Sequence, residues 1–226
     1  MYHRIGRPNP KSLFRGHYVA PKQFENHLKA LALLHFEVVS LSEALNESSS
    51  KRRVVITFDD GYRNLVENAF PPLIERGYPA TVFLVANQIG GYNAWDADNG
   101  DVTEPLLNLE DIRLAKSRGI DFGSHTLNHV DLSAVSKDEA QREIYESREL
   151  LEQKLGQAPR FFCYPYGRQA SETRQMVREA GYELACSTRK GTLQDDAFAL
   201  KRINVRRDST LPLFVLKLYR GLIYDR

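Results

Sequence analysis

The stretch Val54-Val55-Ile56-Thr57-Phe58-Asp59-Asp60-Gly61-Tyr62 constrains this chain more than any other. Five apolar or β-favouring residues run unbroken into two adjacent carboxylates. A β-branched run without polar alternation reads as a strand buried on both faces, the kind found where helices cover both sides of a parallel sheet. Gly61 ends the run, so Asp59 and Asp60 fall at the carboxyl edge of a strand, where parallel α/β folds carry their chemistry. Adjacent carboxylates repel, so holding both there calls for positive charge beside them, and a divalent cation is the candidate. The competing reading is a plain Asp-Asp-Gly turn.

The remaining periodicity repeats this strand-then-helix unit. Pro21 to His35 reads as a helix with Pro21 in its first turn and an apolar stripe of Phe24, Leu28, Leu31 and Leu34. His27 and His35 on that helix read as surface or packing residues. Glu37 to Leu41 reads as a strand, Ser42 to Leu45 as a small helix, and the polar stretch from Asn46 to Arg53 as a solvated loop. Helical pieces at Leu65 to Phe70 and Pro72 to Arg76 are broken at Pro71-Pro72. Ala80 to Ala86 is a further buried strand. Asn108 caps a helix to Arg118, and Gly119 to Phe122 is a strand. Ser136 and Glu139 form a capping-box pattern on a helix that stops at Gly156. Strands at Arg160 to Tyr164, Glu183 to Ser187 and Ala199 to Val205 follow, with a helix from Ser171 to Gly181 between the first two. Leu211 to Tyr224 reads as a final helix packed on the body. The alternation predicts parallel β/α units, and the length suits one domain spanning residues 1–226.

A second stretch decides between the two readings of the aspartates. The strand at Gly119 to Phe122 runs into Gly123-Ser124-His125-Thr126-Leu127-Asn128-His129. Histidines four apart turn their rings to one side of a helical turn. One Asp and two His supply three protein ligands and leave a position for water, the pattern of a catalytic cation site.

Together, Thr57-Phe58-Asp59-Asp60-Gly61-Tyr62 and Ser124-His125-Thr126-Leu127-Asn128-His129 resemble the first two motifs of the polysaccharide deacetylase family, the NodB homology domain. Phe162-Cys163-Tyr164-Pro165-Tyr166-Gly167 matches its third motif in part. The resemblance covers nearly the whole chain. It implies a distorted (β/α) barrel with fewer than eight strands, and hydrolysis of an N-acetyl group on a glycan. Asp60, His125 and His129 would hold one divalent cation. Zn2+ suits the donor set best, with Co2+, Ni2+, Mn2+ or Fe2+ as substitutes. Asp59 would be the general base, and the peptide N–H of Tyr166 the oxyanion donor. Thr126 and Asn128, between the ligands, would be structural supports.

Two departures from the family pattern matter. Cys163 stands where the third motif usually has an Arg that orients the base, and Arg202, in Leu200-Lys201-Arg202-Ile203-Asn204-Val205, is the candidate replacement. The late Leu-x-x-His that supplies the general acid is absent, because no His follows His129. His3 is the candidate for that role, since it ends the predicted first strand and opens onto the face that carries Asp59; His17 and a water are the alternatives. The Tyr-Pro-Tyr-Gly turn and the late Arg-Ile-Asn-Val resemble the exopolysaccharide branch, including poly-N-acetylglucosamine deacetylases. Trp95, in a long Gly- and Asn-rich loop from Asn87 to Thr103, would either stack on a sugar or anchor the loop. Tyr62 and Tyr164 are further candidate sugar contacts. An O-acetyl esterase, a small-amide deacetylase and a catalytically weak glycan-binding module are the competing functions.

Charge supports a glycan partner over a nucleic acid: 31 Lys and Arg nearly balance 29 Asp and Glu. No apolar run approaches a membrane span of about 20 residues, and no export signal opens the chain, which predicts a cytoplasmic protein. Tyr2-His3-Arg4-Ile5 begins in mid-strand, however, so a preceding segment that directs the protein to the envelope is the alternative. Cys163 and Cys186 lie on successive predicted strands, as free buried thiols.

Overall fold

The computed structural model describes residues 1–44, 52–97, 100–188 and 196–223. Of the polar stretch Asn46 to Arg53, expected to be a loop, residues 46–51 lie outside the described residues, and Arg53 belongs to a strand. The strands are β1 (Arg4–Ile5), β2 (Tyr18–Val19), β3 (Glu37–Val38), β4 (Arg53–Val54), β5 (Ile56–Phe58), β6 (Ala80–Leu84), β7 (Ile120–Ser124), β8 (Phe161–Cys163) and β9 (Leu184–Cys186). The helices are α1 (Pro21–Leu33), α2 (Leu41–Ala44), α3 (Leu65–Asn68), α4 (Phe70–Glu75), α5 (Ala94–Ala97), α6 (Leu109–Lys116), α7 (Lys137–Leu155), α8 (Ser171–Glu179) and α9 (Leu211–Ile223).

Strands β5 to β9 form one parallel sheet in sequence order, curled into a half-barrel with helices between its strands. The buried-strand reading of the opening stretch holds for its second half only: Ile56, Thr57 and Phe58 are each at most 3% exposed, whereas Val54 and Val55 are half-buried and Val54 pairs with β3 in a separate two-stranded sheet. Every residue of β6 is buried as well. Burying one such Phe or Leu contributes about 1.5–3 kcal/mol, so apolar runs of this kind hold the sheet between its helices.

Irregular chain continues the ring where the sheet stops. Tyr2 bridges Phe58 in parallel beside β5, with Tyr2 N donating to Thr57 O at 2.8 Å and Asp59 N to Tyr2 O at 3.0 Å. On the other edge Leu200 bridges Cys186. Val205 N then donates to Met1 O at 3.0 Å, joining the two flanks. The strand expected at Ala199 to Val205 is therefore replaced by a single bridge and scattered hydrogen bonds. Beyond that bridge the Ser187 carbonyl accepts from the Arg202 side chain, Nε lying 2.9 Å away.

Three helix ends follow the capping residues read from the sequence. Asn108 and Asp111 exchange hydrogen bonds in a full capping box, at 2.8 and 3.1 Å. At Ser136 only half of the expected box forms. Its hydroxyl accepts from Glu139 N, while the Glu139 carboxylate pairs with Arg142. Gly156 ends α7 at φ +72°, a left-handed stop that favours glycine. Pro71 and Pro72 sit in the first turn of α4 and do not mark its break, because a first helical turn has no need of their missing N–H groups. Among the described residues no helix is long and apolar enough to cross a membrane.

Candidate active site

The site lies at the carboxyl edge of the sheet. Asp59 and Asp60 follow β5, His125 follows β7, and the Pro165-Tyr166-Gly167 turn follows β8. Arg202 lies just beyond the Leu200 bridge beside β9, and His3 follows the Tyr2 bridge beside β5. Among the described residues, five non-glycine positions have positive φ, and four of them are here: Asp60, Thr126, His129 and Tyr166. Such backbone is sterically costly and survives where surrounding contacts fix it. Gly61 also has positive φ, +76°, and a Cβ there would meet Leu84 Cδ2 at 2.8 Å, so the turn that presents the aspartates excludes side chains.

The two histidines converge on Asp60 without a helical turn. The chain from His125 to His129 is a non-helical turn with left-handed residues at Thr126 and His129. That corrects the expected geometry and keeps the expected convergence. Thr126 Oγ1 accepts from His129 N at 2.9 Å, and the turn is braced from α7 by a residue the sequence reading did not single out. The Glu143 carboxylate, fully buried, accepts from Leu127 N, Asn128 N and Asn128 Nδ2 at 3.0, 2.8 and 2.6 Å. The available signal was positional: Glu143 falls on the buried stripe Ala140, Ile144, Ser147, Leu151 of α7, where a charge requires partners.

Asp60 Oδ1 lies 3.4 Å from His125 Nε2 and 3.3 Å from His129 Nε2. Ligands about 2.0–2.1 Å from a tetrahedral cation are separated by about 3.3–3.4 Å, so these three donors suit a common cation. The three donor atoms form one of two clusters of metal-binding type among the described residues. The other, Asp59 with His125 and Cys163, places its carboxylate against an arginine, which disfavours a cation there. His125 Nδ1 donates to Cys163 O at 2.7 Å, which commits Nε2 to the Asp60 side. Burial alone would raise the Asp60 carboxyl, but its hydrogen bonds to His125 and His129 hold it well below the usual carboxylate range.

Asp59 stands outside that trio. Arg202 Nη1 and Nη2 donate to its two oxygens at 2.7 Å each, with all partners buried. Burial would raise the Asp59 carboxyl; the Arg202 guanidinium outweighs it and holds the group at about 2. Cys163 Sγ, where the motif usually carries Arg, accepts from Arg202 Nη2 at 3.0 Å. The small thiol leaves room for a guanidinium that arrives from elsewhere in the chain.

His3 is half-buried and stacks on His17, with ring centroids 4.4 Å apart. Burial first, then the neighbouring His17, push its pKa down to about 3. His17 Nε2 accepts from Arg206 at 3.1 Å. Trp95, on α5, is half-buried and stacks on His129 at 4.3 Å, so one face of the indole is covered by a site residue. Tyr166 is 49% exposed and meets His129 edge-on at 5.0 Å.

Two expected sugar contacts are corrected by burial. Tyr62 is 1% exposed and its hydroxyl donates to Asp96 at 3.0 Å; Tyr164 is fully buried and donates to Phe198 O at 3.0 Å. Both rings fill the interior and present no surface to a glycan. The thiols Cys163 and Cys186 are register partners on β8 and β9, buried and free, as expected.

A curled parallel half-barrel with paired aspartates and two histidines at its carboxyl edge is the frame of a hydrolase. The family model for polysaccharide deacetylase matches residues 46–185, and the chain belongs to that family. It is 29% identical over 212 residues to YxkH of Bacillus subtilis, covering 91% of this chain and 70% of that one. It is 25% identical over 236 residues to the poly-beta-1,6-N-acetyl-D-glucosamine N-deacetylase of Staphylococcus epidermidis, covering 92% and 78%. Among solved structures it resembles the Streptococcus pyogenes deacetylase PplD, determined with acetate, at a TM-score of 0.81 and 25% identity over 96% of both chains.

Proposed function

We propose that this chain removes N-acetyl groups from a glycan containing N-acetylglucosamine and releases acetate, using one divalent cation held by Asp60, His125 and His129. The observation that carries the reading is the division of the aspartate pair: Asp60 meets two imidazole nitrogens at ligand spacing, while both oxygens of Asp59 are taken by Arg202. The kinship with the Staphylococcus epidermidis enzyme supports the substrate class. Residues 1–226 are read as one catalytic domain.

Held by Asp60, His125 and His129, a cation would supply Lewis acidity toward the acetamide carbonyl and lower the pKa of the attacking water, and the Asp-His-His donor set favours zinc. Asp59, kept ionised by Arg202, takes the proton from that water. The peptide N–H of Tyr166 donates to the developing oxyanion. His3 delivers a proton to the leaving nitrogen. Burial and His17 lower its pKa, so it is neutral at rest and the proton it delivers is one accepted within the same turnover.

The test is acetate release from β-1,6-linked N-acetylglucosamine oligomers by the purified protein, before and after chelation and after reconstitution with Zn2+, Co2+, Ni2+, Mn2+ or Fe2+. Release that stops on chelation and returns with a cation supports the reading. Undiminished release after complete chelation overturns the cation. Turnover of O-acetyl sugars or small amides but not of the oligomers overturns the substrate class. Glycan binding without any release points to a binding module.

A further inference from the structure

The two imidazoles facing Asp60 are held in different ways. An imidazole that binds a cation through one nitrogen is ordinarily oriented by a hydrogen bond at the other. His125 has one, from Nδ1 to Cys163 O. His129 does not: its Nδ1 is buried, and among the described residues no polar atom bonds to it. Its surroundings are aromatic instead. The Trp95 indole lies nearly parallel to it, with centroids 4.3 Å apart and planes inclined by 21°. The Tyr166 and His125 rings meet it edge-on at 5.0 and 4.9 Å.

We propose that Trp95 is the positioning residue for His129, its stack taking the place of the missing hydrogen bond, and that a buried Arg4–Asp96 latch sets Trp95 over the imidazole. The proposal rests on Asp60, His125 and His129 being the cation donors. A flat indole resists tilting of the imidazole, and the two edge-on rings resist its rotation in plane, the same freedoms a hydrogen bond at Nδ1 would remove.

The latch explains why the indole is in place. Asp96, the next residue after Trp95, accepts at Oδ2 from Arg4 Nη2, Tyr62 Oη and Asn93 Nδ2 at 2.9, 3.0 and 2.7 Å. Arg4 is fully buried, with its guanidinium over the Tyr62 ring at 4.0 Å and its Nε 3.5 Å from Glu104 Oε2. Arg4 follows His3, and Tyr62 follows the Asp59-Asp60-Gly61 turn. One buried cation thus ties the Trp95 segment to both. Displacing Asp96 would leave the buried guanidinium with Glu104 alone and take away the acceptor of Tyr62 Oη, so the segment cannot leave its place cheaply.

The experiment measures Zn2+ affinity by competition with a chromogenic chelator for the wild type, Trp95→Phe, Trp95→Leu, Asp96→Ala and Asp60→Asn. It also records the emission of Trp95, the only tryptophan of the chain. Trp95→Phe keeps a flat ring and should bind within about 3-fold of wild type. Trp95→Leu keeps apolar bulk without a stack and should lose about 10- to 100-fold, the range for removal of an orienting partner. Asp96→Ala should lose about 10-fold while its emission shifts to the red. Trp95→Leu binding as tightly as wild type overturns the stack, and Asp96→Ala with unchanged emission and affinity overturns the latch. A wild type that binds no better than Asp60→Asn overturns the cation reading itself, an outcome distinct from the other two.

Discussion

Arg202 grips both oxygens of Asp59 across 143 residues of sequence, at 2.7 Å each, and the pair is buried. A planar guanidinium matched to a carboxylate is the strongest common form of this contact, and it fixes the side chain as well as its charge. Arg202→Ala should therefore move the acidic limb of kcat/KM to higher pH. With Arg202 present the Asp59 carboxyl stays ionised down to about 2; with burial left unopposed it should rise above its ordinary 3.8. A group whose pKa rises is protonated, and inactive as a base, at a higher pH. An unchanged limb in a folded, metal-loaded variant would count against this coupling, and Arg202→Lys provides a folded control should the alanine variant be unstable.

The division of labour between the aspartates is separable by elemental analysis. Asp60→Asn should purify without stoichiometric metal and without activity. Asp59→Asn should retain the metal and lose about 10²- to 10⁴-fold in kcat, the usual worth of a general base. Metal-free Asp59→Asn beside metal-loaded Asp60→Asn would reverse the assignment.

His3→Ala tests the proton donor. On an acetamide substrate, whose leaving amine must be protonated, kcat should fall by about 10² or more. On an aryl acetate, whose leaving group departs unprotonated, the loss should stay below about 10-fold. Equal losses on the two substrates would reduce His3 to a structural support.

Glu143→Ala removes the brace of the histidine turn and leaves the Leu127 and Asn128 N–H groups unpaired. Each unsatisfied group costs about 1–3 kcal/mol, so urea unfolding should report a total loss of about 2–6 kcal/mol. Zinc affinity should fall with it. Glu143→Gln, which keeps an accepting oxygen, should lose less on both counts, and a Glu143→Ala protein with native stability would refute the brace.

His27 makes a prediction about acid stability. It is fully buried, stacks on Phe214 at 4.1 Å, and lies between Tyr2 Oη and Ser209 O at 3.2 and 2.9 Å. Burial pushes its pKa down from 6.5 to about 4. Between those values the unfolded chain binds a proton that the folded one refuses. The stability is thus complete above pH 6.5 and is lost as pH falls toward about 4, by on the order of 3 kcal/mol. His27→Gln should be somewhat less stable at neutral pH and should show a shallower decline across that window. Parallel stability curves for the two proteins would exclude His27 as the source.

The sequence by itself determined the sheet and the two ends of the chemistry. Uninterrupted β-branched runs can be buried on both faces only in a covered sheet, so β5 and β6 were legible from local pattern. The polar residues that break the runs at Asp59 and His125 had to fall at strand ends. Tertiary structure decided what those residues meet. Whether Arg202 lies on the surface or in the core depends on a carboxylate 143 residues away, since a buried charge is tolerable only against its partner. Glu143 falls on an apolar helical stripe and His27 reads equally as surface or packing, and only their distant hydrogen-bond partners make burial possible. Trp95 reached His129, and Tyr62 was drawn inward, because Arg4 and Asp96 meet beneath them. Pattern along a chain reports which face is apolar; it carries no record of which polar groups will be close enough to satisfy one another inside.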